Sequence, residues 1–361
     1  MSVRVAVVGG AGYVGTEVCS ELVHRGHEVL AVARPSGRLL LERLGVQVVL
    51  PSDVNDTLKP NVIINLAYPA MHDPERVLDL NKEIIHTIRR LATDSCRVIH
   101  TSTLAVFGYG LERPIVAGPV ERRADYVYVE GKIDFECRLR KWWGHRDLQI
   151  VRLGNVWGPA SPFWTAALAD RIVLGEPVGV AGEDGYCNVT DVRNAAAYLA
   201  FLTERQGALP ARFHHLAEFS QLRWSHWVGL LGEFLGVRPV LVRRRGVYPG
   251  SLREEVSRIA QAYSPFVLSN QLRTGRFTGS LRRSTPARLV NAIVRRFTRK
   301  RGRVAVPPWH PADPPVDPLF LEVLSARARF ESRTIEGWEP PHDSSNSWSA
   351  AAAWLTRAGY P

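Results

Sequence analysis

Val5-Ala6-Val7-Val8-Gly9-Gly10-Ala11-Gly12-Tyr13-Val14-Gly15 is the stretch whose reading decides the fold. Its first four residues are apolar and mostly β-branched, which suits a buried strand. Gly9, Gly12 and Gly15 follow at intervals of three. Glycine there permits a sharp turn and lets another backbone approach closely. From Tyr13 to Arg25 apolar residues recur at helical spacing, with Val14, Val18, Leu22 and Val23 inward. Strand, glycine turn and helix in direct succession begin a βαβ unit, whose helix N-terminus receives a pyrophosphate. Gly9, Gly12, Tyr13, Val14 and Gly15 are therefore the candidate dinucleotide-binding residues. A glycine turn alone also serves plain structural purposes; the flanking strand and helix favour the binding reading.

Working outward, strands are predicted near 3–8, 28–33, 46–50, 61–66, 96–101 and 148–152. Helices are predicted near 13–25, 36–44, 74–93 and 126–143. That alternation predicts an α/β, Rossmann-type doubly wound parallel sheet with right-handed crossovers. Ligands bind such sheets at the carboxyl ends of the strands, where Gly9, Ala33, Ala67 and Thr103 all fall. A second signal is Tyr128-Val129-Glu130-Gly131-Lys132. It puts a phenol and an ammonium one helical turn apart, on one face. A nearby ammonium favours phenolate, so Tyr128 is the candidate acid or base. By itself this spacing arises in many surface helices.

Taken in order, these and further motifs resemble the extended short-chain dehydrogenases/reductases, the NAD(P)-dependent epimerase/dehydratase family of nucleotide-sugar epimerases, dehydratases and ketoreductases. The resemblance runs through Asp53-Val54, Asn65-Leu66-Ala67, Asn81 and Val98-Ile99-His100-Thr101-Ser102-Thr103. It continues through Tyr128 and Lys132, Arg152-Leu153-Gly154-Asn155-Val156-Trp157-Gly158-Pro159 and Val189-Thr190-Asp191-Val192. It covers about residues 1–240, with a weaker echo at 328–360. The resemblance implies that Asp53 and Val54 meet the adenine and that Leu66 and Ala67 line the cofactor. It implies that Thr103 hydrogen-bonds the reacting oxygen and that Asn155 meets substrate. Lys132 would hold the nicotinamide ribose while lowering the pKa of Tyr128. It further implies a Rossmann core over 1–155, with later returning segments, and a smaller substrate lobe over 156–361 interleaved with core elements. A homodimer is compatible with it.

The second predicted strand ends Val32-Ala33-Arg34. NAD-binding relatives usually carry Asp or Glu where Ala33 stands. No carboxylate there repels a 2′-phosphate, and Arg34 could grip one bidentately. NADP(H) is therefore favoured over NAD(H). Leu104-Ala105 follows the candidate catalytic Thr103, where sugar dehydratases carry an Asp-Glu pair and certain epimerase/reductases a cysteine. C4-type epimerisation or ketone reduction remains. Many relatives also carry an arginine before Val-x-Asp-Val that grips the substrate diphosphate; here Glu183-Asp184 stands instead. Arg171, Arg193 or an arginine of the insertion described next could replace it, or the substrate lacks a diphosphate. A ketoreductase on a lipid-linked or secondary metabolite, and a non-catalytic cofactor-binding sensor, are the alternatives.

The net charge is +11. Eleven of the 46 Lys and Arg lie in residues 271–303, which hold no Asp or Glu, so elsewhere 35 basic residues face 35 acidic ones. Residues 241–327 read as an insertion, containing this run and a proline-rich piece from Pro307 to Pro315. Leu289, Ile293 and Phe297 share a face there, which predicts first a docked surface helix. A substrate lid and contact with an anionic membrane surface are the other readings. Nothing resembles a nucleic-acid-reading motif. The four cysteines lack metal-type spacing and read as buried, reduced thiols, and no metal is expected. No apolar run is long enough to span a membrane, and Met-Ser-Val-Arg leads straight into the first strand; a cytoplasmic protein is the expectation.

Overall fold

The computed structural model describes residues 2–68, 74–109, 118–120, 126–207, 209–210, 212–219, 221–242 and 318–360. The basic run 271–303 and the piece Pro307–Pro315 lie outside the described residues. The strands are β1 (Arg4–Val8), β2 (Glu28–Val32), β3 (Gln47–Val49), β4 (Val62–Asn65), β5 (Arg97–Thr103) and β6 (Leu148–Leu153). They continue with β7 (Asn155–Trp157), β8 (Pro177–Val180), β9 (Val189–Asp191), β10 (Phe213–Leu216) and β11 (Val240–Val242). The helices are α1 (Tyr13–His24), α2 (Arg38–Arg43), α3 (Pro74–Leu91), α4 (Val127–Trp143) and α5 (Ala167–Val173). After them come α6 (Val192–Glu204), α7 (Trp224–Leu235), α8 (Pro318–Leu324) and α9 (Ser344–Arg357).

The main sheet is parallel and seven-stranded, in the order β10-β6-β5-β4-β1-β2-β3. The progression of strands across the sheet reverses between β3 and β4, so β1 is flanked by β2 on one side and β4 on the other. That is the switch point where a doubly wound sheet opens a crevice at its carboxyl edge. Both faces are covered. Val5 and Val7 pack with Val18 and Leu22 of α1 and Leu199 of α6, while Ala6 and Val8 pack with Ile88 of α3 and Phe135 and Leu139 of α4. Alternation along β1 thus feeds two cores, each large aliphatic side chain contributing about 1.5–3 kcal/mol on burial.

The six predicted strands and four predicted helices are present, with ends shifted by a few residues; a 3₁₀ turn (Pro35–Gly37) precedes α2. In α1 Gly15, Val18, Cys19 and Leu22 are buried, whereas Val14 and Val23 are only partly so. One expectation is corrected: Cys19, Cys96 and Cys187 are buried, but Cys137 is exposed. Its place in α4 follows the helical period, which turns that position to solvent. β10 escaped the sequence reading because its centre is His214-His215. His214 is buried between the Tyr198 hydroxyl at 2.9 Å and Gln149 at 2.9 Å, so both ring nitrogens are satisfied.

A further hydrophobic core, apart from the two that cover the sheet, is made by Trp157, Leu168, Ile172, Trp224, Trp227, Leu231 and Leu355. The segment after α8 is sewn onto it. Gly185 N–H donates to Leu324 O at 3.0 Å and Phe330 N–H to the Asn188 side chain at 2.9 Å. Among the described residues no helix is long and apolar enough to cross a membrane.

Candidate active site

At the switch point the chain leaves no room for side chains. Gly9 has φ +86°, and a Cβ on it would lie 2.7 Å from Ala67 N. A Cβ on Gly15 would lie 2.3 Å from Gly9 O. The glycines therefore do two things: they close the turn, and they let β1, α1 and the end of β4 meet backbone to backbone. Gly12 is the N-cap of α1 and supplies no side-chain cap; no acid sits in the first turn. The helix dipole and its open first-turn N–H groups thus await an anion from outside. The cradle fits a dinucleotide pyrophosphate. Tyr13 and Val14 begin α1 beside it, and Val54 is fully buried beyond β3, next to exposed Asp53. Leu66 and Ala67 follow β4 and pack partly against the core.

The candidate reactive groups stand on the next strand over and on α4. β5 ends at Thr103, which is 9% exposed, and its hydroxyl accepts from Ala105 N–H at 3.2 Å. The Tyr128 phenol lies near the same hydroxyl, close enough for it to favour the phenolate. Lys132 lies one turn further along α4 and is buried. Its Nζ donates to Thr101 O at 3.2 Å. The structure therefore brings Thr103, Tyr128 and Lys132 together beside the glycine cradle.

Their protonation is set mainly by burial. Tyr128 is 37% exposed, yet the protein crowded around its phenol still desolvates it and raises it above its ordinary value, with the nearby Thr103 hydroxyl opposing. Burial also lowers Lys132 to about 8, with the carboxylate of Glu136 opposing. In the protein alone, desolvation outweighs any lowering of Tyr128 by the neighbouring ammonium.

Three supports escaped the sequence reading of function. Tyr68 follows Ala67, and its ring stands edge-on to Tyr128 with centroids 5.0 Å apart. The Lys132 ammonium sits 4.9 Å from the centre of the same ring, a cation–π contact. Tyr68 thus touches both reactive groups of α4. Asn81 of α3 is fully buried; its amide donates to Gly131 O at 2.9 Å and to Asp134 at 3.0 Å, pinning α4 between Tyr128 and Lys132. Glu136, one turn beyond Lys132, forms a buried double hydrogen bond with Arg152 of β6 at 3.0 and 2.6 Å. Arg152 also lies 4.9 Å from the centre of the Phe107 ring. The signal for this pair was the matching one-turn spacing of Lys132 and Glu136.

Other predicted residues stand differently. Asn155 donates its amide to Cys187 O at 2.7 Å, joining β7 to the loop that leads into β9. Arg193 makes a two-pronged pair with Asp191 at 3.2 and 2.7 Å. Arg171 stacks on Phe320 and pairs with Glu176. Neither is a free replacement for the missing diphosphate arginine. Arg34 is exposed just past β2. Leu104 and Ala105 are buried and apolar, so no acid or base follows Thr103.

A family model described as the NAD dependent epimerase/dehydratase family matches residues 5–210. The chain belongs to this family. No curated protein matches the chain. Among solved structures, the UDP-glucose 4-epimerase of Thermotoga maritima with UDP-glucose is similar at 18% identity and a TM-score of 0.54, covering 68% of this chain and 87% of that one. The Thermus thermophilus UDP-glucose 4-epimerase complex with NAD is similar at 20% identity and 0.53, covering 73% and 94%. The UDP-glucuronic acid 4-epimerase of Bacillus cereus, in complex with UDP-glucuronic acid and NAD, is similar at 15% identity and 0.55, covering 66% and 85%. At these identities the likeness is one of fold.

Proposed function

We propose that this member of the family catalyses C4-type epimerisation of a nucleotide sugar, by oxidation of a secondary alcohol and re-reduction from the opposite face. The observation that carries the reading is the proximity of Thr103 and Tyr128, with buried Lys132 one turn away, beside an uncapped helix N-terminus. A bound nicotinamide would accept and return the hydride. Thr103 orients the reacting oxygen. Tyr128 takes the hydroxyl proton and gives it back. Lys132 anchors the cofactor ribose and holds positive charge near the phenol as the proton leaves. The buried Leu104 and Ala105 supply no group for dehydration. Ketone reduction uses the same groups; the missing diphosphate arginine favours it, with a substrate of another class, as the second reading.

NADP(H) is the proposed cofactor. Arg34 is exposed at the end of β2, and Ala33 leaves no carboxylate against a 2′-phosphate.

The test uses the pure protein, a panel of UDP-, GDP- and TDP-sugars with their 4-keto forms, and Tyr128→Phe. A general acid–base group contributes about 10²–10⁴-fold, so the variant should lose that much turnover with cofactor affinity nearly unchanged. Turnover within about threefold of wild type would remove Tyr128 from the mechanism.

A further inference from the structure

The smaller lobe contains a cavity of about 800 Å³ that uses none of the residues of the crevice just described. Its size falls in the range of small-molecule sites, about 300–1,000 Å³. It lies between the first turns of α7 and α9, over a floor provided by β7.

The walls are aromatic. Trp157 and Trp227 form the floor, with ring centroids 4.1 Å apart and planes at 77°. Trp348 stands edge-on to Trp227 at 5.3 Å and 85°, and Phe219 edge-on to Trp157 at 6.5 Å and 75°. The two half-buried rings, Trp348 and Phe219, line the cavity and offer their surfaces to a flat group. Phe219 is held at φ +53°, a conformation that costs a non-glycine residue energy and tends to persist at ligand sites. The indole N–H groups of Trp157 and Trp227 are buried and have no acceptor among the described residues.

Arg223 lines the cavity, together with His226, Gln221 and several hydroxyl groups, and no Asp or Glu does among the described residues. Arg223 is held in place: its guanidinium lies 3.6 Å from the centre of the Tyr186 ring, and one Nη1–H donates to Asp184 O at 2.7 Å. Its other N–H groups have no acceptor among the described residues. Asp184 already caps α7 through Ser225 N–H and Oγ at 2.9 and 2.6 Å. Asp343 caps α9 at the Asn346 amide, while Ser344 and Ser345, in the first turn ahead of it, line the cavity. The Arg223 guanidinium and the Ser344 and Ser345 hydroxyls therefore face one space.

We propose that this cavity binds a flat organic anion, an aromatic or heteroaromatic ring carrying a carboxylate or phosphate. The ring lies against Trp348 and Phe219, and the anion meets Arg223 and the hydroxyls of Ser344 and Ser345. Among the described lining residues no carboxylate is present to accept from sugar hydroxyls, whereas Arg223 favours an anion. The inference rests on the geometry of the lobe and is independent of the reaction assigned to the crevice.

The probes are 2-naphthoate and its uncharged counterpart 2-naphthalenemethanol, titrated into the full-length protein by calorimetry and tryptophan fluorescence. A charge-assisted contact is worth roughly tenfold or more, so naphthoate should bind at least about tenfold tighter than the alcohol. Arg223→Gln should erase that difference. Trp348→Ala, at a half-buried ring, should weaken both probes, with the circular dichroism spectrum unchanged. Tyr128→Phe should leave both affinities as they were, which separates this cavity from the crevice. Equal affinity for the two probes, saturable binding of methyl glucoside in their place, or naphthoate binding insensitive to both cavity substitutions would overturn the proposal.

Discussion

Replacing Lys132 by Met should abolish turnover and yet stabilise the protein without cofactor. Lys132 is 7% exposed, and burial brings it from 10.5 to about 8. At roughly 1.36 kcal/mol per tenfold in proton affinity, keeping it charged costs the fold about 3 kcal/mol at pH 7. Methionine is an unbranched chain of similar reach and carries no charge to desolvate. The lost donor to Thr101 O returns about 1 kcal/mol, so the variant should be more stable by about 2 kcal/mol at pH 7. The sign follows from proton binding. Between about 8 and 10.5 the unfolded chain holds the Lys132 proton and the folded chain does not, so wild-type stability rises with pH across that window. The advantage of the variant should therefore shrink to about zero near pH 10. Urea unfolding of both proteins at pH 7, 8.5 and 10, followed by circular dichroism, measures it. A variant less stable than wild type at pH 7, or a difference that ignores pH, would refute the argument. A positive result would mean that the site holds its charged lysine at the expense of the fold.

Glu136→Gln should destabilise by about 3–5 kcal/mol, since it leaves the Arg152 guanidinium buried without its counter-charge; urea midpoints test this, and a loss under about 1 kcal/mol would show that water reaches the pair. Arg34→Ala should weaken NADP(H) by about one to two orders of magnitude and spare NAD(H), as calorimetry would show; equal losses, or NAD that co-purifies, would reverse the cofactor choice. Tyr68→Leu removes a cation–π contact worth about 0.5–2 kcal/mol, so Lys132 should lose its proton more readily and the alkaline limb of the kcat profile should move down by up to about one pH. Tyr68→Phe keeps the ring and should leave the profile in place.

Much of this protein is local and therefore readable from its sequence. The apolar run into Gly9, the helical period of α1 and the one-turn spacing of Tyr128 and Lys132 depend on neighbours within a turn or a strand. They were enough to place the sheet and its carboxyl edge, because a parallel α/β chain puts every strand end on one side, and to set Tyr128 and Lys132 one turn apart on α4. Other features come from distant parts of the chain. Tyr68 reads as an unremarkable loop residue until β4 and α4 pack and set it against Lys132. Asn81 becomes a clamp only because α3 lies on α4. His214-His215 looks too polar for a buried strand until Tyr198 and Gln149 supply partners. The direction of the Tyr128 shift could not be read from spacing, because a nearby ammonium and burial act oppositely and only the depth of burial decides between them. The aromatic cavity joins β7, the loop after β10 and the first turns of α7 and α9. Sequence periodicity reports which face of an element is apolar; the tertiary fold decides which faces meet, and desolvation, which sets the chemistry of a buried charge, exists only once they do.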